Sequence, residues 1–155
     1  MSQKIVFDRV VHKNFDDFIS MVKKLAAYEN QTPPDSQAEC RLRKDGLSNN
    51  PKFEAYLVKE HGKIIGYIIY YMTYSSYLAL PTLYIEDIFV LKEKRRKGIG
   101  RKMFEFCMNQ AQNKNCGRVE WCVYNWNTPA IKFYEKLQAT RLEKTYYRLD
   151  AKQME

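Results

Sequence analysis

The chain has 155 residues, 45% of them hydrophobic and 28% charged, and its net charge is +8. This length and balance predict one globular domain with its own core and exclude a disordered chain. No apolar run reaches the roughly 18 residues that a membrane-spanning helix needs, and no secretion signal opens the sequence, so we expect a cytosolic protein without a membrane partner.

The first predicted elements are a strand and an amphipathic helix. Residues 4–11 are β-rich, which favours a strand. Asn14 can cap a following helix, and apolar side chains then recur at helical spacing. The helix should end near Tyr28 and Glu29, because two prolines follow. Residues 31–51 are polar and include a stretch that can hold a short helix.

Three β-rich runs come next. Residues 53–60 and 63–74 are joined by a His-Gly pair, which predicts a hairpin with His61 in its turn. The third run covers residues 83–91. These runs predict a strand meander.

Two adjacent carboxylates interrupt the third run. Glu86 and Asp87 are unusual in a strand that is otherwise apolar. If the pleat is regular, the two side chains point to opposite faces, so that only one of them faces a cleft. The alternative is a pair of salt-bridged strand residues.

The last third of the chain predicts two helices and two strands. A helix is expected over about residues 99–113 and a strand over 119–124. Asn127 or Thr128 should cap a second helix, and the segment TYYRLD, residues 145–150, reads as a final strand. The element order predicts a mixed α/β fold with a partly antiparallel central sheet flanked by helices.

The positive charge is concentrated in one part of the chain. Residues 1–90 carry eleven basic and eleven acidic side chains, whereas residues 91–155 carry fifteen and seven. Residues 92–102 alone contribute seven cations and one anion, with no aromatic residue between them. This pattern favours a local anion site over a surface for nucleic acid, so we expect no nucleic-acid partner.

The cysteines and histidines do not predict a metal site. The four cysteines form no C-x-x-C pair, and neither His12 nor His61 has cysteines at ligand spacing. We therefore expect reduced thiols and no metal.

The segment EKRRKGIGRKM, residues 93–103, lies between a predicted strand and a predicted helix. A turn into a helix presents backbone N–H groups at the helix's positive end, and glycines at 98 and 100 allow oxygen atoms to approach the main chain closely. The segment matches neither a P-loop nor a dinucleotide fingerprint. It favours binding of a pyrophosphate within the positive field of Arg95, Arg96, Lys97 and Arg101. A solvated charged face is the alternative.

The spacing Arg95-x-x-Gly98-x-Gly100 and the later segment NTPAIKFYEKL resemble the GNAT acetyltransferase superfamily, which binds acetyl coenzyme A. The segments LAAYE, IIGYIIYYMTYSSY and LYIEDIFV are similar to those of spermidine/spermine (diamine) and thialysine N-acetyltransferases. The resemblance implies one N-acetyltransferase domain over residues 1–155, acetyl-CoA as co-substrate, no metal, and acetyl transfer to a primary amine of a small polyamine or diamine. It also implies a homodimer.

The resemblance implies roles for the residues at positions that match the family's motifs. Tyr134 would be the general acid beside the sulfur atom, and Glu86 would help to deprotonate the amine. The residues implied to bind the amine substrate are Tyr28, Glu29, Glu86 and Asp87. The residues implied to bind acetyl-CoA are Ile88, Phe89, Val90, Arg95, Arg96, Lys97, Gly98, Ile99, Gly100, Arg101, Asn127, Thr128, Pro129, Ala130 and Tyr134.

Acetyl transfer explains why these residue types are needed. A free alkylamine has a pKa of about 10.4, so it must lose a proton before it can attack. The oxyanion needs a donor, expected to be a main-chain N–H near Val90. The leaving thiolate, from a thiol of pKa about 8.5, benefits from a phenol that still holds its proton at neutral pH.

Some positions depart from the family's pattern. Gln138 stands where the family usually has glycine, and Lys144 and Thr145 stand where the polyamine enzymes have acidic residues. Thialysine, a protein lysine or a protein N-terminus therefore stays open as the acceptor. A coenzyme A sensor without catalysis would not need Glu86 and Tyr134.

Overall fold

A five-stranded mixed sheet is the framework of the first part of the chain in the computed structural model, which describes residues 4–154. The strands are β1 (Ile5–Arg9), β2 (Glu54–Glu60), β3 (Lys63–Ser75), β4 (Leu80–Val90) and β5 (Arg118–Trp121). They lie side by side in chain order, with β1 to β4 antiparallel and β5 parallel to β4. This confirms the predicted α/β class and the partly antiparallel sheet.

The described residues also form four α-helices. They are α1 (Phe15–Tyr28), α2 (Ser36–Gly46), α3 (Ile99–Asn113) and α4 (Thr128–Lys136). The chain forms two compact units, one ending at Cys122 and one beginning at Val123. The sheet and α1 to α3 belong to the first unit, and α4 belongs to the second.

The main core lies between α1 and one face of the sheet. Phe15 and Phe18 of α1 are buried there with Leu57 of β2 and with Tyr67 and Ile69 of β3. Each large side chain that is removed from water in this way contributes about 1.5–3 kcal/mol. The apolar spacing that predicts α1 therefore also predicts the face that it buries.

The opposite face of the sheet carries α3. Phe106 of α3 stacks on Phe7 of β1 with ring centroids 4.3 Å apart, and the Tyr70 hydroxyl of β3 donates to Gln110 of α3 at 3.3 Å. Tyr70 and Tyr67 point to opposite faces because they are an odd number of residues apart on one strand. The sheet is thus covered on both faces.

Asn14 occupies the cap position of α1, as predicted, but its side chain does not cap the helix. Its Oδ1 accepts the Val11 N–H at 2.7 Å, and its Nδ2 donates to the Arg9 carbonyl at 3.1 Å. The side chain braces the connection from β1 into α1 instead.

The predicted hairpin between β2 and β3 is confirmed. His61 and Gly62 form its turn, with φ angles of +50° and +78°. Successive left-handed residues match the twist of the flanking strands. The interpretation of His61 as a turn residue therefore holds.

The prediction of a final strand over residues 145–150 is wrong. These residues adopt no regular secondary structure. A strand needs a neighbour to accept and donate its backbone hydrogen bonds, and β5 is the last strand of the sheet within residues 4–154. The β-rich composition of the segment does not replace that neighbour.

Gln138, which follows α4, has a φ of +60°. Its N–H donates to the Glu135 carbonyl at 2.9 Å, so it closes the helix in a conformation that favours glycine. Gln138→Gly should raise the free energy of unfolding by about 0.5–1 kcal/mol. Urea unfolding checks this, with Gln112→Gly in α3 as the control that should lose up to about 1 kcal/mol. A loss at position 138 would contradict the prediction.

Candidate active site

A β-bulge in β4 builds one wall of the site. Ile69 of β3 pairs with Asp87, whereas the next residue, Tyr70, pairs with Ile85, so Glu86 is the extra residue. A bulge bends the strand and redirects the side chains next to it.

The bulge overturns the expectation of a regular pleat. The Tyr67 hydroxyl donates to Asp87 Oδ2 at 2.8 Å, and the Tyr71 hydroxyl donates to Glu86 Oε2 at 3.4 Å. Tyr67 and Tyr71 are four residues apart on β3 and therefore lie on the same face. Both carboxylates thus meet tyrosines of one face, and the prediction that they point to opposite faces is wrong.

The pairing of β4 with β5 ends beside the bulge. β5 pairs with Thr82 to Ile85, and the partner of Ile85 is Trp121, the last residue of β5. β4 continues to Val90 with β3 as its only paired strand among residues 4–154. A strand edge without a paired neighbour can add an extended molecule as a further strand. Ile88, Phe89 and Val90, the main-chain positions implied for acetyl-CoA, lie along it.

A cluster of carboxylates is centred on the bulge. Burial raises the pKa of Glu29, directly after α1, above its usual value, and the charge of Glu86 adds to this. Burial raises the pKa of Asp87 to about 6, and the charges of Glu86 and Glu29 add to this against the hydrogen bond from Tyr67. We call Glu29, Glu86 and Asp87 the acidic cluster. Their mutual repulsion would be relieved by a cation beside the cluster.

Asp87→Asn should raise the free energy of unfolding at pH 7 by up to about 3 kcal/mol. The carboxyl group has a pKa of about 6 in the folded protein and an ordinary value of 3.8, so the folded state binds its proton more tightly. Stability contributed by this group is therefore lost as the pH rises from about 4 to 6. Asparagine removes that loss and can still accept the Tyr67 hydrogen bond.

Urea unfolding between pH 4 and 7 tests this prediction. The gain from Asp87→Asn should vanish near pH 4, and the control Glu105→Gln, at an exposed position of α3, should follow the wild-type profile. Parallel profiles for Asp87→Asn and the wild type would contradict the assigned pKa.

The segment between β4 and α3 has the backbone of an anion site. Arg96 and Gly98 both take left-handed conformations, with φ of +62° and +77°. A Cβ on Gly98 would meet no atom within 4 Å, so glycine is needed there for its conformation and not for space. We call residues 95–101 the anion loop.

The backbone amides at the start of α3 lie within the anion loop. The first intrahelical bond runs from the Lys102 N–H to the Gly98 carbonyl at 3.3 Å, so the N–H groups of Ile99, Gly100 and Arg101 precede the helix ladder. No acidic residue lies in the first turn. The positive end of a helix with free amides suits a phosphate group.

The cations of this region have different positions. Arg96, Lys97 and Arg101 are exposed. Lys94 pairs with buried Glu60 at 2.5 Å, and this hydrogen bond lowers the pKa of Glu60. Arg95 Nε donates to the Val90 carbonyl at 2.9 Å. Arg95 is predicted to bind acetyl-CoA, and its backbone lies in the anion loop. Its side chain, however, bonds to the end of β4.

The remaining predicted residues belong to the second unit, where they cap α4 or lie on it. Asn127 caps the helix by accepting the Ala130 N–H at 3.4 Å, and Pro129 lies in its first turn. Tyr134 lies further along α4, with its ring centroid 5.7 Å from that of Phe133. The two predicted catalytic residues therefore belong to different units, Glu86 to the first and Tyr134 to the second.

Two residues of the site were not predicted from sequence. Tyr67 and Tyr71 hold the two carboxylates of the bulge. The signal was available, because tyrosines four residues apart in a strand share a face. Without the register between β3 and β4, nothing ties them to Glu86 and Asp87.

Within residues 4–154, no three histidine, cysteine or acidic side chains come together as a metal site. None of the helices described in that range has the length and apolar character to span a membrane.

Comparison with known proteins shows the family. Residues 18–139 match the acetyltransferase (GNAT) family. A mouse thialysine N-epsilon-acetyltransferase is 32% identical over 134 residues, which is 81% of this chain and 78% of the relative. An L-ornithine N5-acetyltransferase of Arabidopsis thaliana is 38% identical over 92 residues, 58% of this chain and 40% of the relative. A human spermidine/spermine N(1)-acetyltransferase-like protein is 30% identical over 76% of this chain and 18% of its own length.

Solved structures show the same fold. An integron cassette protein of V. cholerae superposes with a TM-score of 0.81 at 23% identity, over 99% of this chain and 96% of the other. The aminoglycoside acetyltransferase AAC(6')-Iy, in complex with a CoA-containing bisubstrate analogue, has a TM-score of 0.75 at 17% identity, over 96% and 99% of the chains. The chain, with this sheet and this match over residues 18–139, belongs to the GNAT family of acetyltransferases.

Proposed function

We propose that this protein is an acetyl-CoA-dependent N-acetyltransferase that modifies a primary amine of a small cationic substrate of the polyamine or diamine type. The observation that carries the proposal is the acidic cluster at the β4 bulge, on the strand that leads into the anion loop. One feature suits a cation and the other suits a diphosphate, and a single strand connects them.

The relatives support this substrate class. Their names give thialysine, ornithine and spermidine or spermine as substrates. All of these carry a primary amine and at least one further charged group. The acidic cluster has three carboxylates, which is enough to bind a distal cation and still leave Glu86 for the reacting amine.

The residues of the anion loop fit the acyl donor. Acetyl-CoA would supply the acetyl group as a thioester, and the amides of Arg96 to Arg101 would bind its diphosphate, with Gly98 keeping them in the left-handed turn. Ile88, Phe89 and Val90 would pair with its pantetheine arm as an added strand. Asn127 to Ala130 are proposed as further contacts.

The protein's own groups would then move two protons. Glu86, exposed at the bulge, accepts the proton of the ammonium group through water. A main-chain N–H near Val90 donates to the oxyanion. Tyr134 would give its phenolic proton to the departing sulfur, and the second proton that the nitrogen loses as the amide forms would restore the phenol.

Glu86→Gln should lower kcat by about 100-fold, because the amide cannot accept a proton, while coenzyme A binding changes less than about twofold. Steady-state rates and calorimetry check this, with Glu105→Gln in α3 as the control. Equal rates for Glu86→Gln and wild type would remove Glu86 from the mechanism.

A panel of acceptors tests the proposed function. The purified protein is incubated with acetyl-CoA and 1,3-diaminopropane, putrescine, spermidine, thialysine or lysine peptides, and thiol release is followed. Turnover of the small amines and not of the peptides supports the proposal. Turnover of peptides alone would assign a protein lysine acetyltransferase, and no turnover would contradict both. The homodimer and the single domain over residues 1–155 stay predictions.

A further inference from the structure

Arg95, the first residue of the anion loop, is partly buried, and its side chain contacts other parts of the first unit. Its Nε donates to the Val90 carbonyl at 2.9 Å. Its guanidinium carbon lies 4.7 Å from the ring centroid of Tyr28 and 5.6 Å from that of Phe89. The planar guanidinium group is suited to stacking on aromatic faces while it donates a hydrogen bond in its own plane.

These contacts join three elements. Tyr28 is the last residue of α1, and Glu29 of the acidic cluster follows it directly. Phe89 and Val90 end β4, three and four residues after the bulge. The Tyr28 and Phe89 rings are themselves 6.4 Å apart. One side chain from the anion loop therefore fastens the end of α1 to the end of β4.

The same contacts argue against a direct phosphate ligand. The Nε–H of Arg95 is used by Val90 at 2.9 Å, and the contacts with Tyr28 and Phe89 fix the position of the guanidinium group, so its terminal N–H groups can meet a phosphate only where these contacts hold them. Arg96, Lys97 and Arg101 are exposed on the same loop. The side chain of Arg95 is thus better placed to hold the acceptor side than to bind the coenzyme.

We propose that Arg95 is a positioning residue that clips the amine-binding end of α1 to the anion loop, so that coenzyme binding to the loop tightens the amine site. This inference rests on the proposed function, since it needs both ligands. Coupling between two sites is reciprocal, so the bound amine should tighten coenzyme A by the same factor.

The test compares Arg95→Gln and Arg95→Lys with Arg96→Gln, which also removes one charge from the loop. Spermidine and thialysine serve as amine probes, and coenzyme A is the second ligand. Arg95→Gln should raise the KM for the amine by about five- to tenfold, because the contacts of Arg95 with Tyr28 and Val90 are lost. It should also abolish the increase in amine affinity that coenzyme A causes in the wild type. Its dissociation constant for coenzyme A should rise no more than that of Arg96→Gln. Arg95→Lys, which can still sit over Tyr28 and donate to Val90, should retain most of the wild-type KM.

A second substitution separates the clip from a general loss of stability. If Arg95 acts through Tyr28, the KM of the double variant Arg95→Gln/Tyr28→Leu should equal that of Tyr28→Leu alone. Additive effects on KM would overturn the proposal, and so would an Arg95→Gln defect confined to coenzyme A. If the wild type binds neither amine with or without coenzyme A, the proposed function fails first and this inference fails with it.

Discussion

Tyr134→Phe should lower kcat by about 10²- to 10⁴-fold, the usual contribution of a general acid, while coenzyme A binding changes less than about twofold. The substitution removes one hydroxyl group and keeps the ring that lies 5.7 Å from Phe133. The proposed proton donor for the departing sulfur is lost, so the barrier should rise in the chemical step and not in binding. Single-turnover rates and calorimetry measure the two effects separately.

Tyr147→Phe is the matched control for this experiment. Tyr147 is 91% exposed in the same unit of the chain, so the same substitution there should leave the rate unchanged. A loss below about threefold in Tyr134→Phe would place its effect outside the range of general acid catalysis. The leaving thiolate would then take its proton from another donor, and the role carried over to Tyr134 would be wrong.

Gly98→Ala should weaken coenzyme A binding by about tenfold or more and should also lower the free energy of unfolding by about 1–2 kcal/mol. The φ of +77° at Gly98 is costly for any residue with a Cβ, although open space surrounds that position. Relief of this strain rotates the peptide groups of the loop, and these groups carry the amides proposed to bind the diphosphate.

Gly62→Ala separates strain from binding. Gly62 has a φ of +78°, and a Cβ there would also meet no atom within 4 Å. The two substitutions should therefore lose similar stability, but only Gly98→Ala should lose affinity for coenzyme A. Equal affinity for coenzyme A in the two variants would contradict the proposed role of the Gly98 conformation in coenzyme binding.

Local signals in the sequence predicted most of the elements. The apolar spacing of α1 and α3, the Asn127 cap of α4 and the His61 turn each depend on residues within a few positions of one another. The anion loop belongs to the same class, because a strand, two glycines and a helix follow each other directly. The left-handed conformation of Gly98 is a second reason for a glycine there, and the close approach of oxygen atoms expected from the sequence stays a prediction.

The shape of the acceptor side depends on contacts that are distant in sequence. The bulge at Glu86 arises from the register of β4 against Ile69 and Tyr70, about 16 residues earlier in the chain. No local pattern at Glu86 and Asp87 predicts which of them is the extra residue. Tyr67 and Tyr71 become part of the site only through that register.

Arg95 and the TYYRLD segment show the same limit. The charge pattern placed Arg95 in the cofactor's field, but the fold brings Tyr28 within 4.7 Å of its guanidinium carbon. Residues 145–150 have the composition of a strand and no regular structure, because composition does not provide a pairing partner. Side-chain type predicts what a residue can do, and tertiary contacts select which of these it does.

The central claim is that the anion loop binds the diphosphate of acetyl-CoA through its own backbone amides. The most direct measurement is a titration of ¹⁵N-labelled protein with coenzyme A, with pantetheine, which lacks the diphosphate, as the control. The account predicts saturable shifts that are largest for the amides of residues 96–101 with coenzyme A and absent there with pantetheine. Saturation without shifts in these amides, or no saturable binding, would contradict it.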